Sequence, residues 1–217
     1  MRPLPELRGV RFPDDMLFRM FFKEQLQRTP GRVLEFGCAS GNNLMLFAAF
    51  GWDVTGIDVN STSIANARYN LEGAGTLIEC DLASELPSLE CDAYDVVLMP
   101  SMNYYLPRSA FLRVLEECRR TIRPGGLFYI RSRLPEDWRW GRGTPEGPGA
   151  FRLQCHETGE YGVLNVFYSA EELWQLIVSR LGELHPVQRL RAMFDNPQNG
   201  VVVRNDDIVI WGRMGKT

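Results

Sequence analysis

The run Val33-Leu34-Glu35-Phe36-Gly37-Cys38-Ala39-Ser40-Gly41-Asn42-Asn43 constrains the fold of this 217-residue chain more than any other stretch. It reads as a buried strand that ends in an acid and breaks into a glycine-bearing turn, which opens the apolar run Leu44–Phe50. A strand, a glycine turn and a helix near the start of an α/β domain set helix amides against a sheet edge, where nucleotide-like ligands sit. Two such ligands are disfavoured at once. Counted from Gly37, the dinucleotide fingerprint G-x-G-x-x-G meets Ala39 in its second glycine slot and Asn42 in its third. A phosphate loop would need Gly-Lys-Ser/Thr, which the chain lacks.

The rest of the chain repeats the same alternation. Arg32–Phe36 is the first predicted strand; Asn42 or Asn43 caps the helix after it and Gly51 ends that helix. Asp53–Ile57 is a second strand stopping at Asp58, Ser61–Leu71 a helix, and Thr76–Glu79 a third strand stopping before Cys80-Asp81. Tyr94–Met99, bounded by Pro100, is the fourth. Arg108–Ile122 carries Phe111, Leu115, Cys118 and Ile122 at helical spacing, and the turn Arg123–Gly126 leads into a fifth strand, Leu127–Ser132. Strands alternating with helices imply right-handed crossovers and a largely parallel sheet. Ser169-Ala170-Glu171-Glu172 is a capping box that opens a helix to Leu181. Glu183–Leu190 and Asp207–Gly212 are two last strands joined by the polar stretch Phe194–Gly200. With no helix between them, they add an antiparallel edge.

Residues 1–217 read as one domain with two elaborations. The first lies within 1–30, where the amphipathic helix Asp14–Arg28 packs on the body or closes over a pocket. The second is an insertion over 133–168. There, Leu134–Gly149 is a loop rich in Pro, Gly and Trp, and Phe151–Cys155 with Gly162–Tyr168 forms a hairpin outside the main sheet. A connection this long in a compact domain is a functional lid or is disordered.

Composition narrows the function classes. A net charge of −3 gives no global field for nucleic acid or an anionic membrane. Arginines cluster at Arg119, Arg120 and Arg123, which read as a solvated face, and again at Arg131, Arg133, Arg139 and Arg142. Cys38, Cys80, Cys91, Cys118 and Cys155 form no C-x-x-C pair and no disulfide framework. With only His156 and His185 besides, a zinc site would need scattered ligands, so no metal is expected. No leader of signal-peptide type and no apolar run near ~18 residues is present, so the expected setting is the cytoplasm.

Five motifs in order give the chain a family resemblance. They are Glu35-x-Gly37-x-Ala39-x-Gly41, Asp58 at the end of the second strand, Asp81 after the third, Met99–Leu106 after the fourth, and Arg123-Pro124-Gly125-Gly126-Leu127 before the fifth. In this it resembles the class I S-adenosylmethionine-dependent methyltransferases over most of residues 30–132, with alanine in the middle glycine slot. The resemblance implies a Rossmann-like, mostly parallel seven-stranded sheet with an antiparallel edge strand, helices on both faces and an added hairpin lid. It also implies S-adenosyl-L-methionine as cofactor, with S-adenosyl-L-homocysteine as product. Gly37, Cys38, Ala39 and Gly41 would let backbone approach the methionine part, and the helix start at Asn43 would favour its carboxylate. Glu35 would lie near the amino group, Asp58 would accept from the ribose hydroxyls, and Asp81 from the adenine amino group. Val59 and Leu82 would sandwich adenine, with Pro100 closing the fourth strand beside the site. Each acid also has a plainer reading: Glu35 as a strand-end carboxylate bonded to amides, Asp58 as a helix cap, Asp81 as a turn residue.

For the transfer step, Asn103, Tyr104 and Tyr105 after the fourth strand lie where the resemblance puts the methyl group. His156 in the hairpin is a candidate general base, and Arg133 a candidate anchor for an anionic acceptor. The Asp/Asn-Pro-Pro-Tyr/Phe signature of adenine methylation is absent, since Ser101-Met102 follows Pro100. The preferred reading is methylation of oxygen or nitrogen in a small-molecule acceptor such as a sugar, natural product or metabolite. Neither nucleic acid nor membrane is expected as a partner, and the protein is expected to be a monomer or homodimer. An RNA or protein methyltransferase, resting on the arginines between Arg131 and Arg142, and a non-catalytic cofactor-binding protein are the alternatives.

Overall fold

A computed structural model describes residues 2–215. Strand β1 (Arg32–Phe36) pairs in parallel with β2 (Asp53–Asp58) on one side and β4 (Tyr94–Pro100) on the other. Outside these lie β3 (Thr76–Glu79) and β5 (Ile122–Arg133), also parallel. Antiparallel β10 (Val201–Met214) and β9 (Leu184–Gln198) follow β5, giving the order β3-β2-β1-β4-β5-β10-β9. The seven-stranded Rossmann-like sheet and its antiparallel edge are as expected.

Alternation along the strands builds two cores. Val33, Val54, Val96, Leu98 and Tyr129 pack under α1 (Asp15–Lys23), α2 (Asn42–Ala49) and α3 (Ser61–Asn70). Leu34, Phe36, Val97, Phe128 and Ile130 face α4 (Arg108–Thr121) and α5 (Ala170–Leu181) on the other side. Burying both faces of a parallel sheet accounts for its near-continuous apolar strands.

Five boundaries differ from expectation. The N-terminal helix stops at Lys23 rather than Arg28, because Gln25 turns into the left-handed region at φ 56°. Leu26 stays buried in the short turn that follows, where its carbonyl accepts from Trp52 Nε1, and this prolongs the apolar periodicity past the helix. Gly41, not Asn42 or Asn43, occupies the N-cap of α2. Residues 123–126 are a bulge inside β5, with Gly125 at φ 76°, rather than a turn before it. The expected hairpin is present as β7 (Ala150–Leu153) paired with β8 (Leu164–Val166), but the predicted loop 134–149 contains β6 (Gly143–Gly147), which extends it to a three-stranded sheet. Its Gly-Thr-Pro-Glu-Gly sequence has almost no strand formers. Finally, residues 194–200 are not a loop. β9 and β10 run on through them as a ribbon that closes on Asn199-Gly200, both at positive φ.

Candidate functional site

The strand order reverses between β1 and β4, and the segments leaving these strands line a groove at the carboxyl edge of the sheet. Two cavities make it up. One of about 270 Å³ is bordered by Val59, Cys80, Asp81, Leu82, Ala83 and Leu106. The other, about 500 Å³, is bordered by Pro13, Asp14, Ala39, Asn43, Pro100 and Tyr104 among others. Gly37, Asp58, Met102 and Tyr105 line both.

The loop after β1 is fixed by its neighbour strand. Gly37 and Cys38 donate their N–H groups to Ile57 O at 2.8 and 2.9 Å. Gly37 adopts φ +74°, and a Cβ there would lie 2.6 Å from Met102 Cβ, so the position needs glycine. Ala39 sits at φ 46°, a left-handed conformation that costs a residue with a Cβ, and its N–H donates to Asp58 Oδ2 at 2.9 Å. Asp58 Oδ1 accepts from Asn60 N–H at 2.9 Å. Each carboxylate oxygen therefore makes one bond and keeps a lone pair on the wall of both cavities, an acceptor pair that suits vicinal hydroxyls. The helix-cap reading of Asp58 falls, because Asn60 caps α3 by accepting from Ser63 N–H.

Asp81 is both a turn residue and a wall residue. Its oxygens accept from Ala83 N–H at 3.0 Å and Ser84 Oγ at 3.1 Å, and it borders the smaller cavity beside buried Leu82 and Val59, which is 60% exposed. Glu35 is fully buried. Oε1 accepts from Asn43 Nδ2 at 2.6 Å, whereas Oε2 has no partner. Burial, reinforced by the charges of Asp14 and Asp58, pushes its pKa up to about 8 against the bond from Asn43. The carboxyl thus keeps its proton at neutral pH, and Oε2, one residue behind a cavity wall, is a buried polar atom whose hydrogen bond is still unmade. Cys38 and Gly41 line neither cavity. The Cys38 side chain packs on Gly56, where a Cβ would stand 2.8 Å from Sγ, and Gly41 lets α2 approach Ala67 of α3.

The segment after β4 forms the opposite wall. Asn103 is buried, donating Nδ2 to Ser132 Oγ at 2.8 Å, and its Oδ1 has no partner. The Tyr104 ring centroid is 4.6 Å from that of Tyr105 and 4.2 Å from the Arg133 guanidinium. Burial raises the pKa of both phenols, so they remain protonated at neutral pH. His156 does not reach the groove: it is exposed, stacks on Tyr161 at 4.2 Å, and borders neither cavity. Of the four arginines behind the nucleic-acid alternative, Arg142 is exposed and the other three are internal. Arg131 is buried against Asp14 (2.6 Å) and Asp207 (2.8 Å), Arg133 against Glu160 (2.7 Å), and Arg139 against Asp137 (3.1 Å) and Glu160.

Two residues escaped the sequence reading: Asp14, which borders the larger cavity, and Glu160, which borders neither cavity but bonds Tyr105. Asp14 caps α1 by accepting from Leu17 N–H, and it also accepts from Tyr129 Oη at 2.9 Å. An acid before an amphipathic helix signals the cap, but nothing local signals the bond to Arg131, 117 residues away. Glu160 lies four residues beyond His156 and carries the contacts to Tyr105 and Arg133 that His156 lacks.

Residues 33–126 match a family model described as a methyltransferase domain. A ubiquinone biosynthesis O-methyltransferase of Paraburkholderia phymatum is 30% identical over 131 residues, 59% of this chain and 53% of that protein. The chain thus spans about half the length of that relative. A "probable S-adenosylmethionine-dependent methyltransferase" of Mycolicibacterium smegmatis is 28% identical over 86% of this chain and 77% of its own. The crystal structure of a SAM-dependent methyltransferase from Methanosarcina mazei superposes with a TM-score of 0.70 at 20% identity, covering 87% of this chain and 94% of that one, a likeness of fold. Fold and groove together define a Rossmann-like domain with an open groove at the carboxyl edge of its sheet. The matched methyltransferase domain and the likeness of fold support a class I S-adenosylmethionine-dependent methyltransferase, a family whose cofactor is S-adenosyl-L-methionine. Among the described residues no helix is long and apolar enough to cross a membrane.

Proposed function

We propose that the protein transfers a methyl group from S-adenosyl-L-methionine to oxygen or nitrogen of a small-molecule acceptor. The carrying observation is the continuity of the two cavities through Gly37, Asp58, Met102 and Tyr105. Glu35 and Asn43, Asp58, and Asp81 with Val59 and Leu82 would hold the methionine, ribose and adenine parts. The bound cofactor supplies an activated methyl on a sulfonium. The chain supplies position, which accounts for most of the rate in an in-line displacement. Tyr104 and Tyr105, kept protonated by burial, orient an acceptor through hydrogen bonds and ring faces rather than as anionic bases. Val10, Phe12, Pro13 and the two tyrosines give the larger cavity an apolar, aromatic lining suited to a planar acceptor. The O-methyltransferase named among the relatives supports oxygen as the methylated atom.

Calorimetry with S-adenosylhomocysteine, then release of that product from S-adenosylmethionine with phenolic, catecholic and amine acceptors, tests the reading. Micromolar binding with release in at least one acceptor class is expected. No heat at millimolar ligand overturns the cofactor assignment. Tight binding without release in any class overturns the enzymatic one, and steeply salt-dependent RNA binding the small-molecule one.

A further inference from the structure

The insertion sends one acidic side chain up behind the wall of the groove, where it bonds Tyr105. Glu160 follows the 156–159 turn and is fixed there by its own backbone: its N–H donates to Cys155 O and its carbonyl accepts from Val163 N–H, both at 3.1 Å. The side chain is buried and fully used. Oε1 accepts from Tyr105 Oη at 3.0 Å and from Arg133 NH1 at 2.7 Å, and Oε2 from Arg139 Nε. Burial alone would raise the pKa of this carboxyl. The two guanidinium groups outweigh it and hold the pKa below the ordinary value.

Both arginines are anchored in turn. Arg133 NH1 also donates to Asn165 Oδ1 on β8, and its guanidinium lies 4.2 Å from the Tyr104 ring centroid and 5.7 Å from that of Tyr105. Arg139 donates to Asp137 at 3.1 Å and to Asn205 on the ribbon at 3.2 Å. Two chain segments, 104–105 and 133–139, thus converge on one carboxylate of a third, and what they hold is the tyrosine pair. Tyr105 is one of four residues bordering both cavities.

We infer that Glu160 is a positioning residue of the groove: it holds Tyr105 directly and Tyr104 through Arg133, so the insertion sets the shape of the wall between the two cavities. The functional consequence rests on the cofactor reading above; the positional claim does not. Three variants separate position from charge, with S-adenosylhomocysteine as the probe. Tyr105→Phe removes one hydroxyl and leaves every ion pair intact. Its melting temperature should stay within about 2 °C of wild type, while affinity for the probe falls about fivefold. Glu160→Ala should weaken the probe about tenfold and lower the melting temperature, since two buried cations lose their shared counter-ion. Glu160→Gln keeps an oxygen for Tyr105 without the charge. It should recover probe affinity to within about twofold while the melting temperature stays low, a split that a purely structural role does not produce.

Hydrogen exchange gives the ligand-free arm. Tyr105 and Leu106 donate their N–H groups to Met102 O and Asn103 O at 3.0 and 3.2 Å, so residues 101–107 report directly on the tyrosine turn. Tyr105→Phe should speed exchange there more than elsewhere. Unchanged exchange over 101–107 overturns the inference, as does wild-type probe affinity in both Tyr105→Phe and Glu160→Ala. A wild-type protein that fails to bind the probe overturns the cofactor reading alone, and exchange still decides the role of Glu160.

Discussion

The two sides of the groove are held by contacts of different range. On the side proposed for the cofactor, Asp81 reaches Ala83 across two residues, Asn43 reaches Glu35 across eight, and Asp58 reaches Ala39 across 19. On the acceptor side, Arg133 and Glu160 are 27 apart, Tyr105 and Glu160 are 55 apart, and Arg131 and Asp14 are 117 apart. The chemistry differs in parallel. The cofactor side keeps acceptor capacity in reserve, at Glu35 Oε2 and on both oxygens of Asp58, and so defines a ligand. The acceptor side pairs its charges with one another and turns aromatic rings to the cavity, and so defines a shape. Ligand identity is written where acidic oxygens are left over, and it is lost where the charges are all consumed and only a neutral acceptor, Asn103 Oδ1, remains.

The comparison breaks most severely at Arg131. Arg131→Met leaves Asp14 and Asp207 as buried carboxylates without their shared cation, a loss of about 4 kcal/mol of stability, read as a shift of the denaturant midpoint. A loss under about 1 kcal/mol means that the acceptor side is not locked by charge. Next is Asp58→Ala on the other side, where the fold should survive. Affinity for S-adenosylhomocysteine should drop about 100-fold, roughly 3 kcal/mol for two hydrogen bonds to a charged group. Unchanged affinity by calorimetry removes the reserve acceptors from the account.

This division also explains how much the chain disclosed before its fold was known. The mostly parallel sheet with its antiparallel edge, both helix layers and the wall residues Gly37, Ala39, Asn43, Asp58, Val59, Asp81, Leu82 and Pro100 follow from short motifs and the family resemblance they carry, each motif confined to one strand and the turn after it. Where reading failed, a distant partner decided the structure. β6 is a strand because β7 pairs with it, despite two glycines and a proline. The ribbon at 194–200 persists because β9 and β10 pair along their length, despite a polar sequence. Arg133 and Arg139 look like a basic surface in the sequence, and Glu160, invisible among hairpin residues, makes them internal. Cys38 and Gly41 belong to the cofactor motif yet serve packing, since a motif records positions that must be small without saying what approaches them.

A smaller effect sharpens the cofactor side through pH. Glu35 has a folded pKa of about 8, against about 4.3 in an unfolded chain. Between these values the unfolded state has lost a proton that the folded state keeps, so this group makes stability fall as pH rises from about 4.5 to about 8, and contributes no further change above. The slope is at most about 1.4 kcal/mol per pH unit. Glu35→Gln should flatten that part of the profile in denaturation series at several pH values. A wild-type profile that is already flat places the carboxyl in a wetter setting than the fold gives it.

The smallest effect falls on His156, whose residue type made it the most tempting base. Exposed and stacked on Tyr161, it has no side-chain contact with the groove, and His156→Ala should cost under about 0.5 kcal/mol. Probe affinity and product release should match wild type. The comparison gives this variant its value. Glu160, four residues on, belongs to the same insertion but carries the bonds to Tyr105 and Arg133, so a hairpin acting by position predicts a silent His156 beside a sensitive Glu160. A tenfold loss of product release in His156→Ala, with probe affinity unchanged, reverses that order. The insertion would then deliver a base to the acceptor side by a movement of 156–161, and the wall would be completed only when an acceptor is bound.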